Sequence, residues 1–128
     1  MKLSAVVVNR NDDYKEPKRV AFCVNSLLDT FDEVIYVDID GTICHTENSD
    51  YENSTPRYDQ IEKINKLYNE GNEIVYWTAR GGTTGINWNR HTKQQIDNWG
   101  CCYTRIETQK KPSWDLFIDD KTKRIEEI

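Results

Sequence analysis

Val34-Ile35-Tyr36-Val37-Asp38-Ile39-Asp40-Gly41-Thr42 is an apolar run that stops at two carboxylates flanking one isoleucine. Apolar and β-branched residues bounded by a turn signal read as a buried strand, and such a run suits a parallel sheet. In open α/β sheets, ligands sit just beyond the carboxyl ends of the strands. Asp38 and Asp40 fall at that end, and Gly41 lets the chain turn away without a Cβ. Two carboxylates this close repel, so they need a cation, a shared proton or a wet site. A hard divalent ion answers that need, since Mg2+ takes few protein carboxylates together with waters and phosphate oxygens. A solvated Asx turn explains the Asp and the Gly, but it does not require two acids after so apolar a run.

Two further runs end in the same way. Glu73-Ile74-Val75-Tyr76-Trp77 stops at Thr78-Ala79-Arg80-Gly81-Gly82. Trp114-Asp115-Leu116-Phe117-Ile118 stops at Asp119-Asp120, with Lys110-Lys111-Pro112 just before it. The strand ends thus carry an acid pair, a hydroxyl followed by backbone donors, and a second acid pair, with lysine from a neighbouring loop. Each has a plain counterpart. Thr78 could be an ordinary β-branched strand residue, the lysines a solvated doublet, and Asp119-Asp120 an N-cap. Coincidence at three successive strand ends favours the joint functional reading.

The pattern between these runs predicts alternating strands and helices. Residues 4–9 read as a strand around Ala5-Val6-Val7-Val8, and 19–30 as a helix with Val20, Cys23, Val24, Leu27 and Leu28 on one face. Pro56 opens a helix running to Glu70, with Ile61, Ile64, Leu67 and Tyr68 at core spacing and Gly71 as its stop. A helix from about Trp88 to Trp99 closes at Gly100, residues 101–106 form a short strand, and 121–128 a last helix. Alternation of this kind predicts one α/β domain over residues 1–128, a Rossmann-like parallel sheet with helices on both faces. The first βα unit, residues 1–33, is expected at the sheet edge, with residues 3–8 parallel to the Asp119 strand.

A chain of 128 residues with 37% apolar and 11% aromatic content can bury one core. Its net charge of -5 gives no bulk attraction to nucleic acid or anionic membrane. Residues 1–8 lack the apolar length of a signal peptide, and no apolar stretch reaches the roughly 18 residues of a membrane span. A cytoplasmic protein is expected. Cys23, Cys44, Cys101 and Cys102 match no zinc spacing and are expected to be reduced. Cys44 lies four residues after Asp40, and reads as a loop cysteine rather than a nucleophile.

Asp-x-Asp-Gly-Thr at 38–42, the strand-terminal Thr78, a Lys at 110 or 111 and the acid pair Asp119-Asp120 together resemble the haloacid dehalogenase-like (HAD) phosphatases. The resemblance spans about residues 34–128. Trp77-Thr78-Ala79-Arg80, Ile86 with His91-Thr92, and Lys111-Pro112 ahead of Phe117-Ile118-Asp119-Asp120 look like small phosphatases of capsule and surface-polysaccharide gene clusters. The resemblance implies hydrolysis of a phosphate monoester through an aspartyl-phosphate. Asp38 would be the nucleophile, and Asp40 the general acid, its pKa raised above the usual carboxylate value. Thr78, Ala79, Arg80 and Lys111 (or Lys110) would hold the phosphoryl oxygens. Asp38, Asp40, Asp119 and Asp120 would bind Mg2+, with the direct ligand of the last two left open. Neither the segment after Asp40 nor that after Thr78 has room for a cap domain. Loops 43–56 and 81–91 would therefore line the pocket, with Arg57, His45, Arg80, Trp88, Arg90 and His91 as candidate contacts. The implied substrate is a small phosphorylated metabolite such as a sugar phosphate. A macromolecular substrate and a catalytically idle binding domain are the competing readings.

Overall fold

The computed structural model describes residues 6–9, 20–24, 31–82, 84–108, 111–112 and 114–128; of 6–9 and 20–22 it describes the backbone only. In chain order these form β1 (Val6–Asn9), β2 (Val20–Cys23), β3 (Val34–Asp38), β4 (Cys44–His45), β5 (Thr55–Pro56), α1 (Tyr58–Asn69), β6 (Glu73–Thr78), α2 (Asn89–Asn98) and β7 (Arg105–Thr108). A parallel sheet in the order β3-β6-β7 is the frame.

Register in that sheet follows from side-chain alternation. Ile35 pairs with Ile74 and Val37 with Tyr76, while Tyr76 pairs with Ile106. These residues share one face and one core cluster with Ile61, Ile64 and Tyr68 of α1 and with Ile96 and Trp99 of the α2 end. A one-residue slip would turn this apolar set away from the helices, so burial fixes the register. The α1 spacing of Ile61, Ile64 and Tyr68 is helical, and Asp59 in the first turn and Lys66 in the last complement its dipole. Both crossovers, β3 to β6 and β6 to β7, advance in the same direction, which under the right-handed rule puts both helices on one face. The expectation of helices on both faces is not met among the described residues. On the far face, Val34 and Tyr36 are exposed.

The N-terminal expectation is corrected. Val20–Cys23 is a strand, not part of a helix, and it pairs antiparallel with β1, Val6 opposite Cys23. Residues 3–5 and 25–30 of the expected elements lie outside the described residues. A short apolar run is ambiguous between strand and helix by periodicity alone, and here β1 takes it as its pairing partner. The expected parallel pairing of 3–8 with the Asp119 strand therefore gives way to this hairpin-like pair. β2 is held to α1 where the Val24 amide donates to Asn69 Oδ1 at 2.8 Å.

The C-terminal expectation is corrected as well. Residues 114–118 form no strand, and Leu116 and Ile118 are 75% and 84% exposed. Trp114 and Phe117 stack at 4.7 Å between ring centroids. In an extended strand, residues three apart point to opposite faces roughly 10 Å apart, so this stack requires a bent backbone. The last helix shrinks to a 3-10 turn, Ile125–Glu127, whose Ile125 reaches the core. The strand expected at 101–106 begins only at Arg105, because the Cys101 amide first turns back to the Ile96 carbonyl at 3.0 Å.

Cys23 and Cys102 form a disulfide, with Cα atoms 5.5 Å apart. The expectation of reduced cysteines fails for this pair. The strand at 20–23 brings Cys23 into the core beside the stretch that leads into β7, within ordinary bridging distance. Cys44 and Cys101 are buried and take no part in the bridge. The bridge closes a separation of 79 residues. The chain-entropy relation then gives on the order of 4 kcal/mol of stabilisation. Cys102→Ser should accordingly lower stability by about 2–4 kcal/mol in urea unfolding. An unchanged midpoint would show that the bridge constrains little.

Candidate active site

The parallel register brings two strand ends together. Asp38 is the last residue of β3 opposite Trp77, and Thr78 ends β6. After Asp38 the chain reverses at Gly41, whose φ of +85° lies in the left-handed region that glycine enters without strain. The Gly41 amide donates to Cys44 O at 2.9 Å, and Thr42 and Ile43 both donate to Ile39 O. Ile39 and Ile43 are fully buried, which drives Asp38 and Asp40 toward the cleft. After Thr78 a second tight turn follows. A Cβ on Gly81 would lie 2.0 Å from Ile86 O, so this backbone approach requires glycine.

Asp38, Asp40, Thr46, Ser49, Tyr51, Thr78, Ala79 and Arg80 line one cleft of about 260 Å³. Asp38 is the open carboxylate there, its side chain 40% exposed. Lys111 Nζ lies 2.5 Å from its Oδ1, and Thr42 Oγ1 donates to its Oδ2 at 3.0 Å. Lys111 also sits over Trp77 and Trp114, so two aromatic faces steer its ammonium. The position at 111 is thereby placed against Asp38, whereas Lys110 lies outside the described residues. Thr78 is buried, and its Oγ1 accepts from the Arg80 amide at 3.2 Å. That leaves the hydroxyl proton to be donated into the cleft.

The Arg80 side chain, expected as a contact beyond the phosphate, is instead a structural cation. Its side chain is fully buried. Nε donates to Asp40 Oδ2 at 3.0 Å and Nη2 to Asp40 Oδ1 at 2.7 Å. Nη1 donates to Gln95 Oε1 at 2.7 Å and Thr92 Oγ1 at 3.4 Å, and the Tyr51 ring lies 4.7 Å from the guanidinium carbon. Thr46 Oγ1 adds a 2.6 Å bond to Asp40 Oδ1. Burial pushes the Asp40 carboxyl up, but the hydrogen bonds and charge of Arg80, with Thr46 and Cys44, outweigh it and leave the pKa lowered. The expected elevation of the Asp40 pKa is thus reversed in the substrate-free site.

The other candidates sort by what holds them. Arg57 Nη1 donates to the Gly41 and Thr42 carbonyls and its guanidinium meets Glu126, so it braces the turn after Asp40. His45 is exposed beside Glu47. Trp88 packs edge-on to Tyr51 and His91, and Arg90 is exposed on α2. Cys44 is buried, and burial pushes its thiol up to about 11, so it supplies no thiolate near neutrality. Asp119 and Asp120 are exposed turn residues, with Asp119 Oδ2 accepting from the Lys121 amide at 3.3 Å. Among the described residues no three His, Cys, Asp or Glu side chains are grouped to hold a metal. Arg80 and Thr46 engage both Asp40 side-chain oxygens, and Asp38 is the more open acid of the cleft lining. The acids Asp38, Asp40, Asp119 and Asp120 are not gathered into one metal-holding group among the described residues. Thr46, Ser49 and Tyr51 come from the loop expected to line the pocket. Gln95 was not singled out and Thr92 entered only through the His91-Thr92 motif; the signal for Gln95 is polarity on the α2 face that also carries Ile96.

Fold and site define a small α/β protein with an acid-lysine-hydroxyl cleft at the carboxyl ends of parallel strands. No family model and no curated protein matches the chain. It is similar to a Vibrio cholerae protein of known crystal structure, with 34% sequence identity, coverage of 74% of this chain and 85% of that one, and a TM-score of 0.60. The chain belongs to the family of that Vibrio cholerae protein.

Breaking the Asp40–Arg80 pair from the acid side strands a buried cation, which costs roughly 3 kcal/mol. Asp40→Ala should show that loss at neutral pH. A lowered folded pKa contributes stability that is present above the unfolded value of about 4 and lost as pH falls through the folded one. The gap between wild type and Asp40→Ala, followed by thermal melting, should therefore narrow below about pH 4. A gap constant from neutral pH through that range would remove the ion pair as its cause.

Proposed function

We propose that this chain is a HAD-type phosphohydrolase that cleaves a phosphate monoester through an aspartyl-phosphate on Asp38. The observation that carries this reading is the 2.5 Å contact between Lys111 Nζ and Asp38 Oδ1, in a cleft that Asp40 and Thr78 also line. A carboxylate is ionised near neutrality and attacks without a base. Lys111 orients it and offsets the negative charge of an arriving phosphoryl group. The Thr78 hydroxyl donates to a phosphoryl oxygen from the cleft floor.

In the first step Asp38 attacks phosphorus and the ester P–O bond breaks, its electron pair leaving with the alkoxide. Asp40 supplies the proton. Oδ1 of Asp40 accepts from Arg80, Thr46 and the Cys44 thiol, whereas Oδ2 accepts from Arg80 Nε alone. A carboxylate oxygen has two lone pairs, so Oδ2 is where that proton sits. In the second step water attacks phosphorus and gives its proton back to Asp40, and the P–O bond to Asp38 breaks to release phosphate. The cleft of about 260 Å³ supports a small phosphorylated metabolite, of sugar-phosphate size, over a macromolecule. Its mouth hydroxyls, Thr46 and Ser49, and the Tyr51 ring suit a polyhydroxylated leaving group.

Asp38→Asn is nearly isosteric but lacks the nucleophile. It should cost roughly a thousandfold or more in turnover of 4-nitrophenyl phosphate while keeping the fold by circular dichroism. Retained turnover in the purified variant would remove Asp38 from the role. Mg2+ dependence belongs to this proposal by resemblance. Assay in excess chelator reads it directly: lost turnover supports the requirement, and full activity ends it.

A further inference from the structure

We propose that Gln95 is a positioning residue for phosphoryl transfer, setting the Asp40 carboxyl through Arg80 and pinning the mouth loop in the same contact. This rests on the phosphohydrolase reading. Gln95 sits on α2, outside the cleft lining. Its Oε1 accepts from Arg80 Nη1 at 2.7 Å, and its Nε2 donates to the Tyr51 carbonyl at 2.8 Å. The amide orientation is forced. Guanidinium offers only donors and a carbonyl only acceptors, so a flipped amide would face a donor with a donor and an acceptor with an acceptor.

Arg80 forks onto both Asp40 oxygens, and a planar guanidinium transmits rotation rigidly. Without Gln95, one side of that fork is held only by the long Thr92 contact of 3.4 Å. The Tyr51 ring packs over the same guanidinium, and its carbonyl is the other end of the Gln95 bridge. Acid and mouth loop therefore share one support. Gln95 touches neither substrate nor reacting atoms on this reading; it acts through Arg80. Loss of it should let the Asp40 Oδ2 proton drift from the leaving oxygen while Asp38 and Lys111, on the other side of the cleft floor, stay in place.

The leaving group separates this from general loosening. Nitrophenolate departs with little protonation, whereas the more basic phenolate needs the acid. Only the acid-dependent step should suffer. Gln95→Leu should lower kcat/KM about tenfold on phenyl phosphate and less than about threefold on 4-nitrophenyl phosphate. Gln95→Glu keeps the oxygen toward Arg80 but sets a carboxylate against the Tyr51 carbonyl. It should show the same selectivity, and it serves where the leucine variant does not fold. Equal losses on both esters, or no loss on either, would overturn the proposal. If wild type hydrolyses neither ester, the phosphohydrolase reading fails by itself. The positional claim is then read by a melting cycle of Gln95→Leu with Asp40→Asn, in which non-additive shifts support the linkage and additive shifts overturn it.

Discussion

A guanidinium with no exposed surface cannot be left unpaired, and Arg80 is in that position. Much of the site can be derived from meeting its needs. Asp40 must present both oxygens to the fork, which fixes where the chain turns after β3. The turn at Gly41 and the Thr46 hydroxyl serve that orientation. Helix α2 must offer polar atoms on a face that also carries the buried Ile96, hence Thr92 and Gln95. The mouth loop must cover the cation's face, and Tyr51 does so. A buried pair of this kind is a modest source of stability, because desolvation offsets most of its attraction. Its worth here is geometric: two strand ends, a helix and a loop are tied to one carboxylate.

The parallel frame was legible because it is local and periodic. The runs at 34–38 and 73–78 carry their own length, composition and stop signals, and α1 and α2 have apolar spacing with glycine stops. Asp38, Asp40 and Thr78 could be placed in one cleft on the rule that parallel strands deliver their carboxyl ends to the same side. A lysine at 110 or 111 came from the resemblance, and the aromatic platform that Trp77 and Trp114 give Lys111 could not have been read from spacing.

What escaped the sequence is non-local. Val20 to Cys23 fits strand and helix periods equally, and only pairing with β1 decides between them. The Cys23–Cys102 bridge joins residues 79 apart, and nothing in their spacing marks them as partners. The Arg80 side chain reads from sequence as a contact beyond the phosphate; its burial depends on Thr92 and Gln95 of α2 folding over it. The run 114–118 has strand composition, yet aromatic stacking within it competes with pairing. β3 meanwhile lies at the end of its sheet order, with Val34 and Tyr36 exposed.

On the proposed phosphohydrolase reading, the lowered Asp40 pKa and a role as acid are reconciled by charge. With Lys111 against Asp38 and Arg80 against Asp40, the substrate-free floor carries two acids and two cations and is close to neutral. A phosphate monoester brings between one and two negative charges near pH 7. Lys111 can turn toward those oxygens, but Arg80 is locked by Gln95 and Thr92 and cannot. The added charge therefore falls on the Asp40 oxygen with a spare lone pair, and like charge raises proton affinity. On the proposed reading, substrate arrival would itself move Asp40 toward the acid form, and departure of phosphate would return it to the base. A carboxylate held low at rest and lifted by its substrate serves both halves of a two-step hydrolysis better than one fixed at either value.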